Sequence, residues 1–251
     1  MNVFGYHIPM FLAPLFWALL WEIVGQSGAV LLIPPFTDVL KAAVDLVPSQ
    51  KFLEAMLMTL RAFAAGMAIA IALGIPLGML MGRVAAADKL LGMWVNVFVS
   101  APLTALVPII MLLFGFGQAT MVVVVVLFAV WIIVLDTSAG IRHVSPSLLE
   151  MGRVFGASRW QLYSKVLIWA ALPEILAGVR LGVIRGVKGM IIGQLLISIV
   201  GLGELFEIYS RNFLMEEFWA LTIIVFAFAI AASELVGMIE RRVEYYAGTR
   251  A

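Results

Sequence analysis

Long apolar runs, separated by short polar stretches, dominate the sequence. The runs are continuous instead of alternating between apolar and polar residues, which is typical of membrane helices and not of barrel strands. About 20 apolar residues in a helix cross a hydrocarbon layer of about 30 Å. The pattern predicts about six transmembrane helices, over roughly residues 9–32, 52–81, 90–114, 120–135, 173–199 and 219–238. The prolines and charges of residues 33–51 predict a loop that contains a short amphipathic helix.

The composition supports an all-α integral membrane protein with a single domain over residues 1–251. Hydrophobic residues make up 64% of the chain and charged residues 12%, against about 45–50% and 25% in soluble proteins. The net charge of +1 gives no basic field for nucleic acid. The chain has no cysteine, and His7 and His143 are too far apart in this topology for a metal site. The topology also assembles no catalytic Ser/His/Asp group, so we predict no metal and no catalytic residue.

The Lys and Arg residues near the span ends predict the orientation, since cytoplasmic loops retain them. With the N-terminus inside, the outer loops contain Lys41, Lys51 and Arg211. The cytoplasmic segments then contain Arg83, Lys89, Arg142, Arg153, Arg159, Lys165, Arg241, Arg242 and Arg250. We therefore expect both termini, and the loop over roughly residues 142–172, to face the cytoplasm.

This loop has the signals of two short helices. Ser145 followed by Pro146 predicts a helix start with a capping hydroxyl, and Gly156 predicts the end of that helix. Ser158 and Gln161 form a capping-box pattern that starts a second helix. Two interpretations remain open for the pair. It lies on the lipid headgroups, as basic amphipathic segments do, or it docks a cytoplasmic partner through exposed apolar side chains, namely Met151, Val154, Phe155 and Trp160.

The segment EMGRVFGASRWQLYSKVLIWAALP resembles the cytoplasmic loop of bacterial ABC importer permeases of the binding-protein-dependent class. The family motif is Glu-Ala-Ala, three residues, Gly, then about nine residues and an Ile-x-Leu-Pro-like ending. Glu150 and Gly156 match its fixed positions, whereas Met151 and Gly152 replace the two alanines and Trp169 stands where the proline usually falls. The resemblance covers roughly residues 59–242.

Three further motifs are similar to the nitrate, sulfonate and taurine branch of that family. They are ALP at residues 171–173, the following GVRLG, and GLGEL at residues 201–205. The resemblance implies the type I ABC importer permease fold in a bacterial inner (plasma) membrane. It also implies the partners: a second permease copy as a homodimer, two ATP-binding ABC subunits, an extracytoplasmic substrate-binding protein and the lipid bilayer.

The resemblance also implies a division of labour between subunits. ATP and Mg would be bound by the partner ATPase and no cofactor by this chain, which lacks a G-x-x-x-x-G-K-[ST] loop. This chain would be a transport subunit and not an enzyme. A coupling helix would receive the movement of the ATPase and switch the pathway by a rigid-body rearrangement. The residues assigned to ATPase coupling are Glu150, Met151, Gly152, Val154, Phe155, Gly156, Ala157 and Ser158.

Two of the predicted spans carry glycines at helical spacing, which predicts close packing of those spans against protein. In the fifth span the glycines fall within a stripe about 80° wide at 100° per residue. The predicted packing positions are Gly74, Gly78 and Gly82 in the second span and Gly178, Gly182, Gly186, Gly189 and Gly193 in the fifth.

Polar residues inside the fifth span are candidates for the substrate pathway. Charges near the middle of a bilayer normally face a bundle interior or an aqueous path, and Arg185 and Lys188 lie beside the glycine stripe. We assign both to the pathway together with Gln194. Duplicated about a two-fold axis, the cations would favour an anionic solute. Pairing is the open alternative, and the candidate partners are Glu22, Asp136, Glu204 and Glu234.

Other functions remain open at this point. A secondary carrier would explain the intramembrane cations, although such folds commonly contain paired broken helices in two similar halves. An importer permease for an uncharged vitamin precursor is equally compatible with the loop. Nitrate, alkanesulfonates, taurine and aromatic carboxylates are candidate anions.

Overall fold

A computed structural model describes residues 2–3, 6–7, 12–197 and 201–248 of the chain. A short antiparallel pair joins β1 (Asn2–Val3) to β2 (Tyr6–His7). The longer helices are α1 (Leu12–Gln26), α2 (Phe36–Leu46), α3 (Gln50–Arg83), α4 (Ala85–Ser100), α5 (Val107–Phe114) and α6 (Gln118–His143), followed by α7 (Pro146–Val154), α10 (Leu172–Ile197), α11 (Leu202–Arg211) and α12 (Met215–Gly248). Between α7 and α10, α8 (Arg159–Gln161), a π-helical stretch (Leu162–Leu167) and α9 (Ile168–Ala170) are continuous. The predicted all-helical fold is confirmed.

The spans are less regular than predicted. Helices α3, α6 and the part of α12 up to Arg242 are long and apolar enough to cross a membrane unbroken. Two further spans are bent pairs: α4 with Leu103–Phe114, at 95°, and Arg159–Ala170 with Leu172–Leu196, at 62°. Helix α1 has 15 residues, fewer than the roughly 20 that a span needs. The described residues thus contain up to five spans by length and composition.

The predicted third span breaks at Ala101 and Pro102. Proline removes a backbone N–H and its ring clashes with the preceding helical turn, and the residue before it avoids helical geometry. Ala101 is accordingly extended, with φ −68° and ψ 148°. A turn of 3₁₀ helix, Leu103–Leu106, then leads into α5. The continuous helix predicted over 90–114 is therefore wrong at this point.

Helix α6 is the centre of the molecule and packs between α3 and α10. Its valines and isoleucines fill the core, and Val125 and Ile133 are fully buried. Helix α12 packs on the far side of α10, and α4 packs on both α3 and α6. The pathway candidates of α10 are thus carried by a helix that is supported on two sides.

The two ends of this bundle differ in what covers them. At one end, called the α2 end, the amphipathic helices α2 and α11 pack with the start of α3 and with α12. Trp21 and Trp219 meet there edge to face, with ring centroids 5.0 Å apart. At the other end, called the α7 end, Leu149 and Leu167 pack with Ile141 of α6. The short amphipathic helix predicted within 33–51 is confirmed as α2.

Candidate functional site

The end of α7 has the geometry that the sequence predicts. Gly156 has φ +77°, a left-handed conformation that glycine adopts without a Cβ penalty. The Ala157 N–H donates to the Gly152 carbonyl at 3.0 Å, and the Gly156 N–H donates to the Arg153 carbonyl at 2.9 Å. This pair of bonds is a Schellman motif. The predicted helix end at Gly156 is confirmed.

The start of α7 differs from the prediction. Ser145 is the N-cap residue and Pro146 is the first helical residue, but the Ser145 side chain accepts no bond from the backbone of α7. Its hydroxyl lies 2.7 Å from the Ser147 hydroxyl instead. Ser145 therefore stands at the N-cap position but does not supply the predicted side-chain cap.

The second helix of the loop starts as predicted. The Ser158 N–H donates to Gln161 Oε1 at 2.8 Å, and the Gln161 N–H donates to Ser158 Oγ at 3.3 Å. These reciprocal bonds form a capping box, which confirms the prediction. The turn at residues 155–158 is therefore held by hydrogen bonds on both sides, and α7 and α8 keep a fixed relation.

The turn displays apolar side chains. Val154 is 85% exposed, Phe155 82% and Trp160 78%. Of the other residues assigned to coupling, Glu150, Met151 and Ser158 are exposed, whereas Gly152 and Ala157 are half-buried. A Cβ at Gly152 would lie 2.5 Å from Leu162 Cδ2, so this glycine lets α7 approach the following helix. The exposed apolar group is here called the α7 patch and consists of Met151, Val154, Phe155 and Trp160.

Two contacts tie the helices of the loop to the bundle, and a third joins α4 to α6 beside them. Leu149, on the opposite side of α7, is buried. The Arg83 guanidinium lies 5.9 Å from the centre of the Tyr163 ring. Arg142 Nη1 lies 2.8 Å from Asp88 Oδ2. A displacement of α7 would consequently be passed to the ends of α3, α4 and α6.

Both glycine stripes face α6. A Cβ added to Gly74, Gly78 or Gly82 of α3 would come within 2.7 Å of an α6 side chain, namely Ile133, Thr137 or Ile141. On α10, an added Cβ would contact a side chain at each glycine of the stripe. The contacts are Asp136 at Gly178, Ile133 at Gly182, Met67 at Gly186, Phe128 at Gly189 and Val124 at Gly193. Gly186 therefore also faces α3. Residue Gly66, which sequence reasoning missed, continues the α3 stripe against Val125.

The two cations of α10 lie on a less buried stripe beside the glycines. This stripe, called the open face, consists of Leu181, Arg185 and Lys188; Leu181 and Lys188 are exposed and Arg185 is half-buried. Arg185 Nη1 donates to the Val99 carbonyl at 3.3 Å. Val99 lies next to the break of the third span, where helix-end carbonyls lack helical partners. Among the side chains described, in 13–196 and 201–242, neither cation makes an ion pair.

Two of the four carboxylates proposed as partners are engaged elsewhere, whereas Asp136 of α6 interacts electrostatically with Arg185 without a salt bridge between them. Glu22 accepts bonds from Gln26 and from the N–H and hydroxyl of Thr37, at 2.8 to 3.0 Å. Glu234 pairs with Arg180 at 3.5 Å and with Arg241 at 3.1 Å. Pairing by these two carboxylates therefore does not explain Arg185 or Lys188.

Gln194 does not lie with the two cations. It is 2% exposed, and its Nε2 donates to the Thr59 hydroxyl oxygen of α3 at 2.5 Å. Six residues separate it from Lys188, which turns it about 120° around a helix of 3.6 residues per turn. Gln194 therefore lies away from the open face, and its assignment to the pathway together with Arg185 and Lys188 is not supported.

Sequence reasoning missed two polar residues of α3. Thr59 is 2% exposed and accepts a bond from the Leu202 N–H as well as from Gln194. Arg61 is exposed on the same helix, 11 residues after its start. An arginine inside a predicted span indicates a functional position or a buried partner, so Arg61 could have been found from the sequence. Nothing in the sequence distinguishes Thr59 from the other hydroxyl residues of the spans.

The fold and the loop define a membrane permease of the ABC importer type. The model of the family described as "Binding-protein-dependent transport system inner membrane component" matches residues 74–245. The chain belongs to this family. It is a permease component of an ABC importer, and ATP hydrolysis belongs to a separate subunit in such importers. The secondary-carrier alternative is thereby excluded.

Several relatives support the same assignment. A probable ABC transporter permease of Brucella melitensis is 31% identical over 183 residues, which cover 73% of this chain and 74% of that protein. A putative aliphatic sulfonates transport permease of Bacillus subtilis is 30% identical over 187 residues (73% and 67%). The taurine transport system permease of Escherichia coli is 27% identical over 207 residues (80% and 73%). Further matches are named for carnitine and riboflavin transport.

Solved structures confirm the fold. The MetNI methionine ABC transporter in an inward-facing conformation aligns with a TM-score of 0.62 at 19% identity, covering 74% of this chain and 93% of that one. An amino acid ABC transporter crystallised with histidines aligns with a TM-score of 0.63 at 20% identity (79% and 96%). The predicted type I importer permease fold is therefore confirmed.

Proposed function

We propose that two copies of this chain form the pathway of an ATP-driven importer for a small anion. An ATPase subunit docks on α7 of each copy, and ATP and Mg are bound there and not by this chain. An extracytoplasmic binding protein delivers the solute at the α2 end. The α7 end and the end of α12 face the cytoplasm, in agreement with the distribution of Lys and Arg. A cytoplasmic N-terminus would need α1 to cross the membrane as a sixth span, and its 15 described residues are too few for that.

The α7 patch is the observation that carries the docking proposal. Four large apolar side chains, three of them more than three-quarters exposed, sit on a turn that hydrogen bonds hold on both sides. Exposed apolar groups on a rigid support are typical of a protein interface. The alternative of a helix pair lying on lipid headgroups requires no rigid turn, because lipid adapts to the helix.

The contacts of α7 supply a route for the movement. Closing of the ATPase pair would displace α7, which carries Leu149 into the group formed with Leu167 and Ile141. Leu167 belongs to the segment that leads directly into α10. Since both glycine stripes hold α6 closely against α3 and α10, these helices would move as packed bodies and not as flexible chains.

The open face of α10 supports the choice of an anion. Arg185 donates to a neutral carbonyl and interacts with Asp136 at longer range, and neither Arg185 nor Lys188 forms an ion pair among the described side chains. The broken third span lies beside Arg185, and irregular backbone at membrane depth is tolerated only in protein or at a water-filled cavity. Two copies would present four cations along one axis.

Docking is tested by truncating the α7 patch. We expect Phe155→Ala combined with Val154→Ala to lower co-purification of the ATPase subunit and to abolish ATP-dependent uptake, because the exposed apolar contact is removed. Phe116→Ala is the matched control, since Phe116 is 65% exposed in the loop before α6. If the double variant keeps the ATPase and the uptake while it loses affinity for vesicles with anionic lipid, the headgroup interpretation is correct and the docking proposal is wrong.

The anion proposal is tested by neutralising the open face. We expect Arg185→Gln with Lys188→Gln to lower uptake of taurine and of an alkanesulfonate by more than tenfold, since each cation on a partly desolvated path contributes more than about 1 kcal/mol. Arg211→Gln, which removes an exposed charge at the α2 end, should leave uptake unchanged. Carnitine and riboflavin are tested in parallel. If the wild type and the double variant transport riboflavin equally well, the result would contradict the proposal and favour a neutral solute.

A further inference from the structure

A buried polar junction at the α2 end lies apart from both the α7 patch and the open face of α10. It joins α3, α10 and α11 at Thr59, Gln194 and Leu202. Thr59 and Gln194 are each 2% exposed and Leu202 is 1% exposed. The Thr59 hydroxyl oxygen accepts from Gln194 Nε2 at 2.5 Å and from the Leu202 N–H at 3.2 Å. One oxygen atom thus connects three helices.

The start of α11 depends on this junction. The first N–H groups of a helix lack partners within it and are usually capped by the N-cap side chain. The N-cap of α11 is Gly201, which has no side chain to do so. Thr59, 143 positions earlier in the sequence, accepts the Leu202 N–H in its place. Helix α11 is therefore capped by a neighbouring helix, and separating α11 from α3 leaves that N–H without its partner.

Two glycines give the junction its close fit. Gly201 has φ +67°, and a Cβ there would lie 2.6 Å from Thr59 Oγ1. A Cβ at Gly203 would overlap the backbone oxygen of Gln194. Thr59, Gln194 and Gly201 also border a cavity of about 10 Å³, which is about the space of one water molecule. Water entering there would replace the bonds that Thr59 makes.

We propose that Thr59 is a positioning residue that locks the end of α10 and the start of α11 to α3 and so holds the α2 end closed. The lock must open once in each transport cycle for solute to enter from the α2 end, so that α11 and the last turn of α10 part from Thr59 while the glycine stripes keep the rest of α3, α6 and α10 packed. Because α10 also carries Arg185 and Lys188, the lock fixes the pathway helix at one of its ends. This inference rests on the proposed function for its role in transport, but the lock itself is independent of the substrate.

Thr59→Val is the variant that opens the lock. Valine has the shape of threonine without the acceptor, so two buried donors lose their partner, which shifts the ratio of locked to open protein about tenfold or more. Thr59→Ser keeps the acceptor and should restore wild-type behaviour. Thr137→Val is the matched control, because Thr137 is fully buried and its hydroxyl has no partner among the described residues.

The opening is measured in the permease–ATPase assembly in lipid. The chain has no cysteine, so in each permease copy the spin labels attach only at Glu54→Cys of α3 and Ser210→Cys of α11, and dilution with unlabelled permease isolates the distance within one copy. We expect Thr59→Val to broaden and lengthen this distance without nucleotide, and Thr59→Ser and Thr137→Val to leave it unchanged. A second pair, Lys41→Cys on α2 and Glu216→Cys on α12, should stay unchanged in all variants. An unchanged first distance in folded Thr59→Val, or equal widening of both pairs, overturns the lock.

ATP hydrolysis separates the lock from the proposed function. We expect Thr59→Val to raise the rate of ATP hydrolysis in the absence of the binding protein at least several-fold. The reason is that the variant shifts the equilibrium away from the closed, resting state of the assembly. A longer label distance with unchanged hydrolysis would overturn the role in the cycle. If the wild-type assembly itself shows no coupled hydrolysis, the proposed function fails while the label distances still decide on the lock.

Discussion

The two ends of α10 are held by different chemistry. At the α2 end, neutral hydrogen bonds to Thr59 are buried to 2% exposure. At the α7 end, Arg180 pairs with Glu240 at 3.3 Å and with Glu234 at 3.5 Å of α12, and its side chain is 31% exposed. Gly237 makes room for this guanidinium, since a Cβ there would lie 2.9 Å from Arg180 Cζ.

The difference predicts how each end responds to force. Partly exposed ion pairs contribute about 0–1 kcal/mol each and exchange partners easily, and Arg180 has two carboxylates within reach. A buried donor that loses its acceptor costs about 1–3 kcal/mol. The α7 end is therefore suited to gradual adjustment as α7 moves, whereas the α2 end is suited to opening in a single step.

The largest expected effect comes from Gly203→Ala at the α2 end. The added methyl would overlap the backbone oxygen of Gln194, and a helix backbone yields less than a side chain. Overpacking of this kind costs about 1–3 kcal/mol or more, so we expect a lower Tm and less folded protein in detergent. Gly92→Ala is the control, because its nearest neighbour would be Asp88 Oδ1 at 3.6 Å. Equal stability of the two variants would contradict a tightly fitted α2 end.

Local features were predictable from the sequence. The capping box of Ser158 and Gln161 and the helix end at Gly156 involve residues within five positions of each other, so their types and spacing suffice. Family resemblance added the fold, which the structural comparisons confirm. Pro102 is itself a signal for the break, but the continuous apolar run of residues 90–114 favours an unbroken span.

Non-local features were not predictable. Thr59 and Gln194 are separated by 135 positions, and their contact depends on how α3, α6 and α10 pack. The sequence places Gln194 among polar residues of the same span, close to Arg185 and Lys188, and so predicts a pathway role for it. In the structure the Gln194 side chain points to α3, so it does not lie beside the two cations. Assigning a residue of a membrane helix to a pathway therefore requires knowing which side of the helix it occupies as well as its depth in the membrane.

The smallest expected effect comes from Glu240→Gln at the α7 end. Arg180 keeps Glu234 as a partner, so we expect a loss of stability of at most about 1 kcal/mol. Raising the salt concentration from about 0.1 M to 1 M shortens the Debye length from about 10 Å to 3 Å, and should reduce the difference between variant and wild type. The measurement is the Tm of the assembly at both salt concentrations.

Glu204→Gln is the control for this measurement, because Glu204 is exposed and forms no ion pair among the described side chains. Thr59→Val completes the comparison between the ends, since a neutral lock should respond to salt no more than the control does. A Thr59→Val effect that shrinks with salt as the Glu240→Gln effect does would show that charge, and not burial, governs both ends of α10.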